Sequence, residues 1–412
     1  MDRAIRVLIV VPYFPPDRGP IPMMYSGLAS DLTRGSNSVL VITAQPTYAT
    51  GAKRRRWLYQ IEKDSEKTIV RVSVPELNRE SLWSRLVVIL SYNLLGAAYL
   101  LFTRDIDVAL ITNPALEVWL ITLIVRLKRI PFHYRVHDLY PEIAVRLGLL
   151  AKNSLLARVI EWMETCSLNS AGTVSVVTES FKAYLTAAKI PQEKVTVIPD
   201  WVDTSEICER PKRNEFSERY NLSSKFVVGY GGNVGRSQGL EVLVEAASLL
   251  KDEKEIIFII VGEGAKKRDL MTLRDNRHLN NLMFLPYQPT ETLNDVYGSW
   301  DIGFISLTPG VSPEWQTGKI FSIMASSRPV LAAADIGGEV HRVIEKTQCG
   351  ICIPGGDPIM LARAIAQLFA NRAELDAFGI NGRRAVEEFY SRKVCTKQLE
   401  SQVTCLIRNH HQ

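Results

Sequence analysis

The chain has 412 residues, 46% of them hydrophobic and 23% charged, and a formal net charge of +5. That length is too great for one compact core and suggests two or three domains, at roughly 150 residues each. The composition excludes wholesale disorder, and so small a charge excess argues against a nucleic-acid protein. Six cysteines scattered along a large chain read as reduced thiols in a cytosolic compartment. Arg3 and Arg6 lead directly into Val7-Leu8-Ile9-Val10-Val11, with no small-residue cleavage site, so the start reads as a first strand and not a signal peptide.

Residues 5–11 form an apolar run of the kind found in strands covered on both faces. A loop, Pro12-Tyr-Phe-Pro-Pro-Asp17-Arg18-Gly19-Pro20, and a helical pattern over 23–32 follow. Strand, glycine loop and helix together can bring backbone N–H groups to a phosphate, and they equally describe an ordinary connection. Further strands are expected at 39–43, 69–72, 108–112 and 132–136, which makes the first half a doubly wound α/β domain. His137, Asp138 and Glu142 follow directly on one strand end, where such sheets bind ligands.

Two features interrupt this rhythm. Lys53-Arg54-Arg55-Arg56-Trp57 is a basic run that suits anionic lipid headgroups or a solvated loop. Residues 82–102 are largely apolar around Ser91-Tyr92-Asn93. About 17 uncharged residues with a polar centre fit a buried helix that offers one face to a membrane interface better than they fit a spanning helix. A strand at 172–178 and Val195-Thr-Val-Ile-Pro lead to a linker expected at 200–225.

The second half restarts with a strand at 226–230, the loop Gly231-Gly232-Asn233-Val234-Gly235-Arg236-Ser237-Gln238-Gly239 and a helix at 240–250. A strand at 255–261 ends in Gly262-Glu263-Gly264-Ala265-Lys266-Lys267. Two glycine loops at successive strand ends, with Arg236, Lys266 and Lys267 beside them, point to a diphosphate site; plain turn chemistry is the alternative. Strands at 283–286 and 302–307 precede Ser312-Pro313-Glu314-Trp315-Gln316-Thr317-Gly318-Lys319, which opens a short apolar helix that Arg328-Pro329 ends before a strand at 330–333. Cys349-Gly-Ile-Cys352 has redox or metal spacing, but with no second pair and no nearby histidine it reads as packing. Helices are expected at 358–370, 374–389 and 392–407.

In this order, Pro15-Pro16-Asp17-Arg18-Gly19, Pro199-Asp200-Trp201-Val202-Asp203, the two glycine loops and the 312–330 stretch resemble retaining glycosyltransferases of family 4. The resemblance is to the bacterial branch that builds O-antigen, capsule and colanic acid, and it covers nearly the whole chain. It implies a GT-B fold, with two Rossmann-like doubly wound domains facing a cleft and a C-terminal helix crossing back to the N-terminal domain. The expected domains are 1–205 for the acceptor, 206–388 for the nucleotide sugar and 389–412 for the crossover helix.

The resemblance further implies catalysis with no metal and no cofactor beyond the nucleotide-sugar donor, a UDP-sugar. Gly232, Asn233, Gly235, Arg236, Lys266, Gly318 and Lys319 would hold that donor, and Asp17, Arg18 and Gly19 would form the acceptor-side phosphate loop. Glu314 matches the glutamate that contacts the transferred sugar. Ser322 stands where the family places a second glutamate for the nucleotide ribose, a departure that Glu339 is positioned in sequence to offset. His137 and Asp138 fall where the family places a polar group near the donor sugar, and a structural hydrogen bond is the other reading of His137. The expected activity moves a sugar, an N-acetylhexosamine by preference, to a lipid-linked glycan on the cytoplasmic face of the membrane, which Lys53, Arg54, Arg55, Arg56 and residues 82–102 would contact. A UDP-sugar 2-epimerase and a non-catalytic binding protein are the alternatives on the same fold.

Overall fold

Consecutive apolar residues bounded by turns become the inner strands of two parallel sheets. The computed structural model describes residues 5–17, 19–34, 37–46, 57–64, 66–76, 82–146, 148, 150–310, 314–315 and 317–410. The chain divides into two units, Met1–Pro199 with Cys395–Gln412, and Asp200–Val394.

The first unit contains β1 (Arg6–Val10), β2 (Ser38–Ala44), β3 (Tyr59–Asp64), β4 (Lys67–Val72), β5 (Val108–Thr112), β6 (Phe132–Val136), β7 (Thr173–Val176) and β8 (Val195–Val197). They lie in the order β3-β4-β2-β1-β5-β6-β7-β8. All neighbours are parallel except β3 and β4. The antiparallel edge strand β3, Tyr-Gln-Ile-Glu-Lys-Asp, lacks an apolar run and escaped the sequence reading, as a polar edge strand does. It supplies Glu62, which accepts two hydrogen bonds from buried Arg71, at 2.7 and 3.1 Å, while Arg71 also donates to the Pro15 carbonyl at 2.5 Å. The loop after β1 is thus tied to β4.

Two buried polar side chains of β6 are held by named partners. His133 on β6 lies between Thr173 Oγ1 (2.8 Å) and Ser175 Oγ (2.7 Å), and burial, then Arg135, push it down to about 3, so it is a neutral structural imidazole. Arg135 donates to the carbonyls of Ile198 and Pro199 at 3.0 and 3.2 Å and fixes the end of the unit.

In the second unit β9 (Phe226–Gly231), β10 (Ile256–Val261), β11 (Leu282–Leu285), β12 (Ile302–Ser306), β13 (Val330–Ala334) and β14 (Gly350–Pro354) form an all-parallel sheet, ordered β11-β10-β9-β12-β13-β14. This is the doubly wound 3-2-1-4-5-6 order, and its direction of progression reverses between β9 and β12, where a crevice opens at the carboxyl ends of the strands. Trp300 is fully buried beneath that point. Its ring lies against Gly229 of β9, where any Cβ would come within 2.1 Å of it. Cys349 is buried, Cys352 lies in β14, and burial pushes both thiols up to about 11, so the pair is inert packing.

Residues 200–205, expected with the first domain, group with the second unit, for a visible reason. Val202 N donates to Tyr390 O (3.1 Å), Arg392 N to Val202 O (2.9 Å), and Arg392 pairs with Asp203 at 2.7 Å. The last helix, Arg392–His410, begins in the second unit and is grouped with the first from Cys395 on. There Thr396 Oγ1 donates to Asp31 at 3.0 Å, and Leu406 packs on Gly172.

One buried acid makes the first unit sensitive to pH. Glu164, on the helix Leu155–Ser170, accepts from Ala115 N at 2.6 Å and from the Tyr134 hydroxyl at 2.9 Å. Burial pushes its carboxyl up to about 7 from an ordinary 4.5. A raised carboxyl favours the protonated folded state, so the stability it contributes is complete below about pH 4.5 and is lost as pH rises through 7. Urea unfolding of the first unit is expected to weaken by about 2–3 kcal/mol between pH 5 and 8, and Glu164→Gln is expected to flatten that decline.

Candidate active site

The second unit's site is built where β9 and β12 diverge. Gly232 leaves β9 with φ +136, a conformation that side chains rarely adopt, and its N–H donates to Val261 O of β10 at 2.9 Å. Val234 N donates to Glu263 O at 2.9 Å, and Lys266 N to Val234 O at 3.0 Å, so the two glycine loops interlock backbone to backbone. A short 3-10 turn, Arg236–Gln238, follows, and Thr308 beyond β12 pins it through Thr308 N to Ser237 O and Thr308 Oγ1 to Arg236 O, both 3.0 Å.

Lys319 enters this frame from the first position of the helix Lys319–Ala325. Its ammonium donates to Gln238 Oε1 at 2.7 Å and lies 5.4 Å from the Tyr230 ring centre. Its stem fills the space a side chain on Gly232 would occupy, since a Cβ there would be 2.4 Å from Lys319 Cε. Tyr230 completes the support, with its hydroxyl 2.7 Å from Asn233 O and 3.1 Å from Gln238 Oε1. Burial pushes the ammonium down to about 8 from 10.5, and among the described residues no carboxylate offsets that cost. A half-buried cation without a counter-ion, at the carboxyl ends of parallel strands, is a site for an anion.

One turn further, the Ser322 side chain lies close to the Tyr297 hydroxyl, and that hydroxyl lies 3.9 Å from the position of a Cβ on Gly231. Tyr297 packs edge-on against Trp300 at 4.9 Å, and burial, its largest influence, raises its phenol above the ordinary value. The other expected donor residues are placed as follows. Asn233 and Arg236 are exposed on the first glycine loop. Lys266 pairs with Asp269 and Glu241, at 3.2 and 3.6 Å. Lys267 closes its own loop by donating to Gly262 O and Glu263. Gly318 precedes the Lys319 helix, Glu314 is half-buried, and Glu339 opens the helix after β13 with Arg342 3.5 Å away. Ser312, Pro313 and Gln316 lie outside the described residues.

The first unit has a matching constellation at its own reversal, between β1 and β5. Asn113, just past β5, accepts from His137 N at 2.8 Å and from Asp138 N at 3.4 Å, and donates back to Asp138 O. His137 Nε2 lies 2.9 Å from the hydroxyl of buried Tyr25, on the helix Pro20–Thr33 that follows β1. Segments after β1, β5 and β6 therefore meet around one imidazole. Asp17 is buried in the loop before Gly19, which caps that helix with φ +130; Arg18 lies outside the described residues. Glu142 accepts from Tyr184 OH at 2.7 Å. Sequence reasoning assigned no role to Tyr25, Asn113, Tyr230, Gln238 or Tyr297. Only Gln238 carried a signal, from its place inside a glycine loop.

Residues 10–206 match Glycosyltransferase Family 4, and residues 225–371 match Glycosyl transferases group 1. The chain is a family 4 glycosyltransferase. Among curated relatives, the glycosyltransferase is 27% identical over 299 residues to the probable glycosyltransferase WbjE of Pseudomonas aeruginosa, a match spanning 72% of this chain and 74% of that one. It is 24% identical over 220 residues to the putative colanic acid biosynthesis glycosyl transferase WcaI of Escherichia coli, spanning 53% of this chain and 54% of WcaI. The structure of HepE from Anabaena in complex with UDP matches with a TM-score of 0.73 at 16% identity, over 97% of this chain and all of HepE. The fold of the glycosyltransferase is GT-B.

Two expectations concern Lys319 itself. Its folded pKa is depressed, so the fold opposes its charge at neutral pH, and the penalty is relieved as pH rises from about 8 to 10.5. Lys319→Met is expected to stabilise the ligand-free enzyme by about 1–2 kcal/mol at pH 7 and by little at pH 10, measured by urea titration. Gly232→Ala crowds the Lys319 stem and strains the backbone, and is expected to destabilise by about 1–3 kcal/mol in the same assay.

Proposed function

We propose that this glycosyltransferase moves a sugar, an N-acetylhexosamine by preference, from a UDP-sugar to a lipid-linked glycan, with retention at the anomeric centre, during assembly of bacterial surface polysaccharide. The observation that carries the reading is the desolvated Lys319 ammonium, held by Gln238 against the Gly232 turn with no carboxylate among the described residues to neutralise it. A nucleoside diphosphate supplies the missing charge. The UDP complex of HepE and the colanic acid role in the name of WcaI support the choice of donor and pathway class.

In this mechanism the bond from the anomeric carbon to the diphosphate breaks while positive charge develops on the sugar ring. Lys319, Arg236 and the backbone N–H groups of Asn233 and Gly235, which the loop's own contacts leave uncommitted, stabilise the departing diphosphate, which is the largest electrostatic demand of the reaction. No metal is needed where fixed cations and amides do this work, and the donor is the only cofactor-like molecule. Glu314 holds hydroxyls of the transferred sugar, and His137 and Asp138 orient the ring and offset its developing charge. Ser322 with Tyr297 takes the ribose end, where a longer glutamate stands in relatives; Glu339 is the reserve for that role. The reaction takes place at the inner face of the cell membrane.

The test is a panel of UDP-, GDP- and dTDP-sugars with lipid-diphosphate acceptors in excess chelator. Acceptor-dependent UDP release that survives chelation is expected, with Glu314→Ala lowering kcat about hundredfold. Interconversion of UDP-sugars without acceptor, seen by NMR, identifies an epimerase instead, and activity abolished by chelator overturns the metal-free mechanism.

A further inference from the structure

Three helices of the first unit leave outward faces that are apolar at helical spacing. The helix Leu82–Phe102 exposes Trp83, Val87, Leu90, Leu94 and Leu101, which recur every three, four or seven residues along one side. Its 83–102 portion has a mean hydropathy of 1.7 and is long enough to cross a bilayer by length and composition. Its other side is committed to the protein. Tyr92 OH donates to Ile42 O at 3.0 Å, and Asn93 bonds Glu117 O and Leu120 N of the next helix, both at 2.9 Å. The polar centre of this segment thus serves its inner face.

That next helix, Ala115–Leu127, exposes Leu123 and Leu127, and a third, Leu155–Ser170, exposes Leu155, Val159 and Trp162. The three lie side by side: Lys128 Nζ donates to Leu100 O at 2.9 Å, Trp119 and Trp162 meet at 5.1 Å, and Glu164 binds Ala115 N. Trp83 is 78%, Phe102 83% and Trp162 58% exposed. A surface this apolar and this broad is covered by something.

Charge selects the occupant. Arg85, Arg126, Arg129, Lys152 and Arg158 are exposed on or beside these helices, and Glu161 is the only exposed acid among the described residues of the three. Beside Phe102 a recess of about 570 Å³ is lined by Arg6, Arg104, Tyr59 and Tyr99, with Asp105 the single acid. A second copy of the chain would set basic rim against basic rim. An anionic bilayer accepts both the aromatic and aliphatic stripes and the cations around them.

We propose that these three helices form one platform that docks flat on anionic phospholipid, with Trp83, Leu127 and Trp162 entering the interface together. The proposal deepens the functional reading by naming the surface on which a lipid-linked acceptor is met, and it leans on that reading only for its purpose. The stripe on residues 82–102 is legible in the sequence. The second and third stripes and their alignment are not.

The test is flotation of the full chain with vesicles of phosphatidylcholine alone or with roughly 30% phosphatidylglycerol, without donor or acceptor. Partition is expected to be about tenfold stronger on the anionic vesicles, and Leu127→Glu/Trp162→Glu is expected to lose about tenfold or more with circular dichroism and melting unchanged. Retained binding by that double variant overturns the platform and leaves the first helix alone as the contact. Equal partition to neutral vesicles overturns the role of the basic rim. A dimer in size-exclusion chromatography that the double variant dissolves shows a protein interface and overturns the proposal outright. Vesicle binding without glycosyl transfer leaves this inference standing and removes the functional one.

Discussion

Desolvation of a single ammonium organises the second unit. Taking Lys319 out of water opposes its charge, and the surrounding residues act to hold it there all the same. The reversal of strand order opens the crevice, the missing side chain of Gly232 admits the lysine stem, and Gln238 accepts from the ammonium at 2.7 Å. Tyr230 presents its ring face to the charge while its hydroxyl steadies the same glycine loop. These partners are neutral and do not cancel the charge, which remains available to a ligand.

The first unit repeats the winding and fills its crevice differently. An imidazole, an amide and a phenol, from His137, Asn113 and Tyr25, form a hydrogen-bonded group there. The buried guanidinium of Arg71, on β4, donates to Glu62 and the Pro15 carbonyl. Such a group suits hydroxyls better than phosphates. Two sheets of the same order therefore carry two chemistries, because winding fixes where side chains converge and the side chains fix what they bind.

Much of this was legible before any coordinates. Runs such as Val7 to Val11 and Ile256 to Val261 can only be buried strands, and the glycine loops at 231–239 and 262–264 mark strand ends by their turn chemistry. What escaped has physical reasons. β3 has no apolar run, because an edge strand faces water. β14 is only half-buried, and the helix Glu339–Thr347 before it is short and charged, so neither stands out. Tyr25, Asn113 and Tyr297 become site residues through pairings 24 to 112 positions apart that no local pattern encodes, such as Tyr25 with His137 across 112 residues. Lys266, expected beside the phosphates from its place in a basic loop, pairs in this structure with Asp269 and Glu241.

Ser322 is best understood from beneath. Gly229 lets the Trp300 ring lie against β9, Tyr297 packs edge-on upon that ring, and the Tyr297 hydroxyl reaches up to Ser322 beside Gly231. A glutamate at 322 would bring a carboxylate to a buried phenol, and would have either to displace the tyrosine or to turn away from it. The short hydroxyl and the long aromatic side chain therefore form a matched pair. Serine on the helix is the partner that a fully buried indole, stacked beneath a glycine strand and topped by tyrosine, leaves room for.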